Sequence, residues 1–279
     1  MKSFKNKVAA ITGAGSGIGR ALAQALARDG AELAISDIHA ARVEETAALL
    51  RAQGARVSAQ VVDVSKREEV YAWAERVVRD HGKVHLIFNN AGVGHASTLE
   101  GTSIEDFEWI MGINFWGVVY GTKAFLPHLR AAGEGHIINL SSIFGVIAVP
   151  GNGTYNASKF AVRGFTEALR EELDMTGGAV SATCVHPGGI KTNIVREARF
   201  DESINGLLVR DAEAGKAQFE ASFMTTPEKA ARVILDAVRK NKRRALIGPD
   251  AHAFDLMQRV LPSAYQALAV RAVRRMAPH

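Results

Sequence analysis

Short, largely apolar runs alternate along the chain with longer segments whose apolar residues recur at helical spacing. The first run, Val8–Thr12, is followed at once by glycines, as is typical of a short strand buried on both faces. The segment from Arg20 to Arg28 then carries Ala and Leu at helical spacing. The pattern repeats, with strands predicted at 32–36, 57–62, 84–88, 136–140, 179–185 and 245–247, and helices at 40–53, 66–80, 103–130, 154–176 and from 226. This alternation predicts an α/β fold with a parallel sheet covered by helices on both faces.

The bulk composition is that of a globular protein. Hydrophobic residues make up 47% and charged residues 23% of the 279 residues, which argues against disorder. No run approaches the roughly 20 apolar residues needed to span a bilayer, and the apolar run after Met1–Lys7 is too brief for the core of a signal peptide. The single cysteine, Cys184, cannot form an internal disulfide and lies in an apolar run. We therefore expect a cytoplasmic protein with a buried thiol.

The net charge of +5 is concentrated near the C-terminus. From Arg239 onward there are nine Lys or Arg residues and two acidic residues, whereas the rest of the chain carries a net charge of −2. The high isoelectric point therefore does not indicate nucleic-acid binding by the main body.

A serine, a tyrosine and a lysine follow the fifth predicted strand. Ser142 comes directly after that strand, and Tyr155 and Lys159 are four residues apart near the start of a predicted helix, so that both project from one face. A nearby cation lowers the pKa of a phenol, which is ordinarily about 10. The arrangement predicts proton transfer to or from a substrate oxygen held by Ser142. Alone, a Tyr and a Lys at this spacing are also an ordinary surface pair.

A glycine-rich turn joins the first strand to the first helix. It reads Gly13-Ala-Gly-Ser-Gly-Ile-Gly19, and such a turn lets backbone N–H groups approach a phosphate at the positive end of a helix. Asp37 ends the second strand, where a carboxylate can bind the ribose hydroxyls of a dinucleotide and repel a 2′-phosphate. This favours NAD over NADP, although His39 and Arg42 lie close enough to blur the preference.

Polar or glycine-containing segments also end the other strands. Asp63-Val64 follows the third strand, Asn89-Asn90-Ala91-Gly92 the fourth, and Pro187-Gly188-Gly189-Ile190-Lys191-Thr192 the sixth. Asn114 lies inside a predicted helix among apolar and glycine neighbours, where an amide is costly unless something binds it. A hydrogen bond to a backbone carbonyl would also explain it. His186, just before Pro187, is interpreted as a strand-end residue rather than a catalytic base.

Together these motifs resemble the short-chain dehydrogenase/reductase family in its single-domain form, over roughly residues 5 to 250. The resemblance implies a Rossmann-type, doubly wound parallel sheet of seven strands in the order 3-2-1-4-5-6-7. It divides the chain into one catalytic domain, 1–250, with a substrate lid at 193–226, and a basic amphipathic helical extension at 251–279. It also implies an NAD(P)-dependent alcohol dehydrogenase or ketone reductase that prefers NAD.

The resemblance further implies a role for each site residue. Tyr155 is the general acid/base, Lys159 lowers its pKa and binds the nicotinamide ribose, Ser142 orients the substrate oxygen, and Asn114 holds a water that relays protons. The expected cofactor contacts are Gly13, Ser16, Gly17, Ile18, Gly19, Asp37, Asp63, Val64, Asn90, Ala91, Gly92, Tyr155, Lys159, Pro187, Gly188, Ile190 and Thr192. The expected substrate contacts are Ser142, Phe144, Val149, Tyr155 and Gly189. No metal site is expected.

The lid is rich in apolar residues, which suggests a hydrophobic secondary alcohol or ketone. The same residues would equally serve to pack the lid onto the body or onto a neighbouring subunit; they are Ile194, Val195, Phe200, Ile204, Leu207, Leu208, Val209, Phe219, Phe223 and Met224. A homodimer or homotetramer is expected by analogy with the family.

The basic tail could lie on an anionic membrane, dock on a partner, or pack on its own fold. A non-catalytic dinucleotide sensor is the alternative function, but it would not need the acid/base residues. A third alternative, the epimerase and dehydratase branch of the family, is disfavoured by the short chain and by the glycine spacing.

Overall fold

A parallel sheet of seven strands forms the centre of the computed structural model, which describes residues 1–205, 211–221 and 223–276. In chain order its strands are β1 (Val8–Thr12), β2 (Glu32–Asp37), β3 (Val57–Val61), β4 (Leu86–Asn89), β5 (Gly135–Leu140), β6 (Val180–Pro187) and β7 (Arg244–Ile247). They lie in the order 3-2-1-4-5-6-7, and every neighbouring pair is parallel. The predicted Rossmann-type fold is confirmed.

Helices cover both faces of this sheet. They are α1 (Gly17–Arg28), α2 (Ala40–Ala52), α3 (Arg67–His81), α4 (Ile104–Met111), α5 (Gly117–Ala131), α6 (Gly153–Met175), α7 (Ala212–Ala221), α8 (Pro227–Arg239), α9 (Pro249–Val260) and α10 (Tyr265–Met276). Successive strand residues point to opposite faces, so Ile11 packs in the cluster formed with α1, α2 and α8, and Ala10 in the cluster formed with α3 and α5. Burial on both faces explains why the central strands are rich in apolar residues, whereas the edge strand β3 is only half-buried and contains Ser58 and Gln60.

The long helix predicted at 103–130 is interrupted by one π-helical turn. Helix α4 ends at Met111, residues Gly112–Trp116 form the π turn, and α5 continues from Gly117. Asn114 lies in this turn and is fully buried. Such turns are frequent at functional sites, because the extra residue redirects the side chains around it. The strand predicted at 84–88 is also shifted, since β4 starts at Leu86.

The first part of the lid is held against the main body. Residues Arg199–Phe200 pair in parallel with residues His95–Ala96 as two short strands. The guanidinium of Arg199 donates to Asp106 at 2.6 Å and lies 3.7 Å from the centre of the Trp109 ring. Val195, Ile204 and Phe223 are buried, so these three apolar residues pack the lid onto the body, whereas Met224 is exposed. The predicted lid residues Leu207, Leu208 and Val209, and the side chain of Phe219, lie outside the described residues.

The predicted C-terminal extension forms α9 and α10, and the boundary predicted at residue 250 falls within the first turn of α9. Ala251 and Tyr265 are buried against Ile143, Val146 and Ile147, residues that follow β5. Helix α9 and the start of α10 therefore pack on the protein's own fold, one of the three arrangements considered from the sequence, whereas Leu268 and Val270 of α10 are exposed. Among the described helices, none is both long and apolar enough to cross a bilayer.

Candidate functional site

The carboxyl ends of β1, β4, β5 and β6 lie side by side, and they bring most of the predicted site residues together. Thr12, at the end of β1, connects two of these ends, because its hydroxyl accepts hydrogen bonds from the backbone N–H groups of Asn90 and Ala91, each at 3.0 Å. The Asn90 side chain in turn donates hydrogen bonds to the carbonyl oxygens of Thr12 and Gly13, at 2.9 and 3.1 Å. The glycine turn and the segment after β4 are thereby fixed as one unit.

The glycine turn has the backbone geometry needed to receive a phosphate. Gly13 and Gly17 have φ angles of +64° and +51°, which favour glycine. Helix α1 begins at Gly17, and Ser16 at its N-cap makes no side-chain capping hydrogen bond. The N–H groups of the first turn, which includes Ile18, lack partners four residues back and therefore suit an anion. These residues fit the diphosphate of a dinucleotide.

A methyl group at Gly19 should disrupt this turn. Its Cβ would collide with the carbonyl oxygen of Gly13 and lie 2.6 Å from Nδ2 of Asn90. We expect Gly19→Ala to lower the free energy of unfolding by about 1–3 kcal/mol, as overpacking does, and to weaken NADH binding. Chemical denaturation and NADH fluorescence titration measure the two effects.

The control for Gly19→Ala is Gly164→Ala. Gly164 lies inside α6, where a Cβ would meet nothing within 4 Å. This change should stabilise the protein by about 0.5–1 kcal/mol through helix propensity. Equal NADH affinity in Gly19→Ala and the wild type would contradict the assignment of the turn.

Asp37 lies beside the glycine turn at the end of β2. One carboxylate oxygen accepts from the N–H of Gly15 at 2.9 Å and the other accepts from the N–H of His39 at 3.0 Å. The nearby cation, Arg42, donates to Glu197 of the lid at 2.6 Å. The lid is therefore joined by an ion pair to the helix that follows Asp37.

The end of β3 borders the same cleft. Val64 is buried, and a Cβ added to Gly117 would lie 3.0 Å from its side chain, so the π turn and α5 pack closely there. The Asp63 carboxylate accepts from the backbone N–H and the hydroxyl of Ser65 at 2.9 and 2.7 Å. The predicted cofactor contacts of both residues stay predictions.

Ser142 and Tyr155 form the chemical centre. Ser142 begins a short 3₁₀ turn, Ile143–Gly145, and its hydroxyl accepts from the N–H of Phe144 at 3.1 Å. Burial raises the pKa of Tyr155 to about 12, and a hydrogen bond with Ser142 acts in the opposite direction. Burial is the larger effect because a phenolate is costly to bury, and the lowering of the Tyr155 pKa by Lys159 that the resemblance implies stays a prediction.

Lys159 lies one turn further along α6. It is buried, its ammonium donates to the carbonyl oxygen of Leu140 at 3.1 Å, and Nζ lies 5.6 Å from the centre of the Tyr155 ring. Burial lowers the pKa of Lys159 to about 8. An ammonium has three donors. Its chemistry therefore suits the hydroxyl groups of a ribose.

Asn114 is hydrogen-bonded to protein groups that include a backbone carbonyl, which is one of the two explanations considered for its placement. Its Oδ1 accepts from the N–H of Val93 at 2.8 Å, and its Nδ2 donates to the Val93 carbonyl at 3.0 Å and to Ser158 at 3.2 Å. A Cβ on Gly92 would lie 3.1 Å from Oδ1 of Asn114 and 3.4 Å from Nζ of Lys159, so the three residues meet. The water relay stays a prediction.

The segment after β6 closes the cleft from the other side. The methyl group of Thr192 lies 3.0 Å from the position of a Cβ on Gly17, so this segment reaches the glycine turn. Ile190 is buried and forms a bridge with Thr225, and Gly188 donates to the carbonyl oxygen of Ile247 at 2.9 Å. Pro187 ends the strand. The structure therefore places both halves of the predicted cofactor cleft in contact.

One of the predicted substrate residues lies directly against Tyr155. The Phe144 ring packs edge-on against the Tyr155 ring, with 6.2 Å between centroids. Phe144 and Val149 are half-buried beside the apolar cluster that contains Tyr265. A Cβ on Gly189 would lie 2.7 Å from the Phe223 ring. Apolar rings thus lie beside Tyr155 and beside Gly189, and the predicted substrate contacts stay predictions.

Two residues with structural importance were not assigned to the site from the sequence. From the sequence, Thr12 was predicted only as the last residue of the first strand. That position is the signal that could have assigned it to the site, because several predicted site residues also lie at strand ends. His186 is fully buried and its Nδ1 lies 3.0 Å from the carbonyl oxygen of Ser142. Burial lowers the pKa of His186 to about 4. A neutral His186 therefore supports the Ser142 backbone, which agrees with its interpretation as a strand-end residue.

Comparisons with known proteins agree with this geometry. The family model described as short chain dehydrogenase matches residues 7–203. SadH of Mycobacterium tuberculosis, classed as an oxidoreductase, is 46% identical over 279 residues, which cover 100% of this chain and 99% of SadH. EphD of the same organism, also classed as an oxidoreductase, is 39% identical over 270 residues. The match covers 95% of this chain and 45% of EphD.

Solved structures show the same fold with a dinucleotide bound. A short-chain dehydrogenase/reductase from Burkholderia phymatum in complex with NAD has a TM-score of 0.86 and 32% identity, and the match covers 95% of this chain and 97% of that one. An alcohol dehydrogenase from Thermococcus sibiricus complexed with 5-hydroxy-NADP has a TM-score of 0.71 and 28% identity, with coverages of 87% and 96%. The chain therefore belongs to the short-chain dehydrogenase/reductase family of oxidoreductases.

Proposed function

We propose that this protein interconverts an apolar secondary alcohol and its ketone with NAD, and that Tyr155 is the general acid/base. The observation that carries the proposal is the juxtaposition of three groups. The Ser142 hydroxyl interacts with the Tyr155 phenol, and the Lys159 ammonium lies 5.6 Å from the centre of the same ring. Two hydroxyl groups and a cation at the carboxyl edge of the sheet suit a reacting oxygen that gains or loses a proton.

The hydride chemistry belongs to the nicotinamide cofactor when it is bound. In ketone reduction, Ser142 donates a hydrogen bond to the carbonyl oxygen while Tyr155 donates its proton to the same oxygen. The raised pKa keeps the phenol protonated at neutral pH, so the proton is available. In alcohol oxidation, Tyr155 accepts the proton instead, and the Lys159 cation favours the phenolate that this requires.

The adenosine end of the cleft supports a preference for NAD. The Asp37 carboxylate borders the glycine turn, where it would repel a 2′-phosphate. Arg42 is the nearby cation that could offset this repulsion, and its guanidinium is engaged by Glu197 at 2.6 Å. The positive charge that Arg42 could offer to a 2′-phosphate is thereby reduced. NADP is the less favoured cofactor, and no metal is assigned a role.

The apolar surroundings of the hydroxyl pair support an apolar substrate. The Phe144 ring packs against Tyr155, the Phe223 ring lies against Gly189, and Val149 belongs to the same apolar cluster as Phe144. These apolar side chains would exclude water from a bound alcohol. Removing water strengthens both apolar binding and the hydrogen bonds to the reacting oxygen.

A direct assay of NADH formation tests the proposed reaction. We expect NADH formation with NAD and one or more members of a panel of steroid, aliphatic and aromatic secondary alcohols, and slower reaction with NADP at equal concentration. Asp37→Ser should narrow the difference in affinity between the two cofactors by roughly five- to thirty-fold, since it removes a like-charge repulsion of about 1–2 kcal/mol. Cofactor affinity is measured separately by fluorescence titration.

The same assay addresses the alternative of a dinucleotide-binding sensor. A sensor would bind NADH in the titration and show no turnover with any alcohol or ketone in the panel. Faster reaction with NADP than with NAD would contradict the proposed preference while leaving the reaction class intact.

We also propose a cytoplasmic homodimer or homotetramer. The single cysteine, Cys184, is buried and suits a reducing compartment. Ile104, Trp116 and Phe160 are exposed large apolar side chains, and Trp116 stacks on Tyr120 with 5.7 Å between ring centroids. Helices α4, α5 and α6 contribute to this apolar surface, which a second copy of the chain would cover. Sedimentation equilibrium measures the mass of the assembly.

A further inference from the structure

A carboxylate from the C-terminal part of the chain lies directly beneath the segment after β6. The backbone N–H of Gly189 donates to Oδ2 of Asp250 at 2.6 Å. A Cβ on Gly188 or on Gly248 would collide with the same carboxylate. The two glycines therefore leave the space that Asp250 occupies, and the carboxylate holds the backbone of the segment that the proposed function assigns to the cofactor.

Other backbone contacts hold the same segment from residues later in the chain. The N–H of Gly188 donates to Ile247 at the end of β7, and the N–H of Lys191 donates to the carbonyl oxygen of Thr225 at 2.9 Å. Asp250 differs from these partners because it contributes a charged side chain, and hydrogen bonds to charged groups are roughly twice as strong as neutral ones. It lies outside residues 7–203, which the family model matches.

A second residue of the same part of the chain holds the other wall of the site. The buried hydroxyl of Tyr265 accepts from the N–H of Ala148 at 3.0 Å. Ala148 belongs to the segment 143–149, which begins directly after Ser142 and includes Phe144 and Val149. Tyr265 also packs in the apolar cluster with Ile143 and Ile147. The N–H of Ala148 and the hydroxyl of Tyr265 thus connect the start of α10 to the proposed substrate wall.

We infer that the segment 249–265 is a positioning element in which Asp250 sets the cofactor-side turn at Gly188–Gly189 and Tyr265 sets the substrate-side segment 143–149. The inference rests on the proposed function of these two walls. Neither residue touches the reacting atoms. Each acts through a backbone N–H that it holds. Gly189 lies between the expected cofactor contacts Gly188 and Ile190 and is itself an expected substrate contact, so Asp250 should affect cofactor binding first, whereas Tyr265 should affect substrate binding alone.

The test measures NADH affinity by fluorescence titration, alcohol KM at saturating NAD, and amide hydrogen exchange of residues 186–192 in the full-length protein. Asp250→Ala should raise the Kd for NADH about ten-fold, the typical cost of losing a hydrogen bond to a charged group, and should speed exchange in that segment. Asp250→Asn should retain most of the NADH affinity and most of the protection from exchange, because its amide oxygen can still accept a hydrogen bond from the N–H of Gly189. Tyr265→Phe should raise the alcohol KM severalfold and leave the Kd for NADH within about two-fold.

Matched controls are Asp236→Ala, which changes a half-buried aspartate that pairs with Lys240, and Tyr71→Phe, which changes an exposed tyrosine. If Asp250→Ala does not fold, Asp250→Ser replaces it. The inference is overturned if Asp250→Ala leaves NADH affinity and exchange unchanged, or if Asp250→Ala and Tyr265→Phe impair NADH affinity and alcohol KM alike. Failure of the wild type to bind NADH would instead refute the proposed function, and the exchange measurement would still decide whether Asp250 orders the turn.

Discussion

Tyr155→Phe is expected to lower kcat for alcohol oxidation by about 10²–10⁴-fold, the usual contribution of a positioned acid/base group. The ring remains, so its packing against Phe144 and its place near Lys159 are retained. What is lost is the hydroxyl group that is proposed to exchange a proton with the substrate oxygen. The Kd for NADH should therefore change by less than about two-fold, which separates the phenol hydroxyl from cofactor binding.

Single-turnover kinetics and an NADH titration measure the two effects of this change. Tyr71→Phe, which removes a hydroxyl from an exposed tyrosine of α3, provides the matched control and should leave both quantities unchanged. Retention of more than about a tenth of the wild-type kcat in Tyr155→Phe would mean that another group transfers the proton. The Ser142 hydroxyl would then be the first candidate, because it is the neighbouring hydroxyl.

The sheet could be predicted from the sequence because its strands carry a strong local signal. Residues such as Ile11, Ile35 and Phe88 are completely buried, so the central strands are rich in apolar residues, and several strands end where polar groups begin. The order of the strands came from the family resemblance, since periodicity alone does not encode which strands pair. The strand ends that were predicted to carry chemistry do meet at one edge, because parallel strands have their carboxyl ends on the same side.

The π turn and the pKa of Tyr155 could not be predicted in this way. A helical repeat does not reveal one extra residue per turn, and the bonds that stabilise Asn114 come from Val93, which is 21 positions away. The pKa of Tyr155 depends on two opposing effects: burial of the phenol raises it, and a nearby cation lowers it. Sequence spacing specifies the Tyr155-to-Lys159 separation along the helix and says nothing about the burial that raises the pKa.

The packing of the tail depends on similar long-range contacts. The apolar residues of α9 were recognised at helical spacing, but their partners lie after β5, more than 100 residues earlier. The sequence therefore left membrane, partner and self-packing open. Tyr265 illustrates the difficulty, because its hydroxyl receives a backbone N–H from Ala148 and no side-chain pattern identifies such a donor.

Lys159 is expected to contribute to function at a cost in stability. Its side chain is buried, and burial lowers its pKa from 10.5 to about 8. At about 1.4 kcal/mol per pKa unit, keeping the ammonium charged below pH 8 costs up to about 3 kcal/mol relative to the unfolded chain. Lys159→Met keeps the length of the side chain and removes the charge, while it also removes the hydrogen bond to Leu140. We expect a net gain in the free energy of unfolding of about 1–2 kcal/mol at pH 7.

This gain should depend on pH in a defined direction. Between pH 8 and 10.5 the unfolded chain binds more protons at this lysine than the folded chain, so the wild type gains stability as the pH rises through that interval. Urea denaturation of both proteins at pH 7 and near pH 10 should therefore show an advantage for Lys159→Met that diminishes at the higher pH.

Catalysis and NADH binding should fall together in Lys159→Met, by about 10²-fold or more in kcat, because the same ammonium is proposed to serve the phenol and the ribose. Tyr155→Phe is the matched comparison, since it should impair kcat alone. A loss of kcat in Lys159→Met with unchanged NADH affinity would contradict the ribose contact. A variant less stable than the wild type at pH 7 would show that the buried ammonium is compensated by its surroundings, and the site would then impose no cost on the fold.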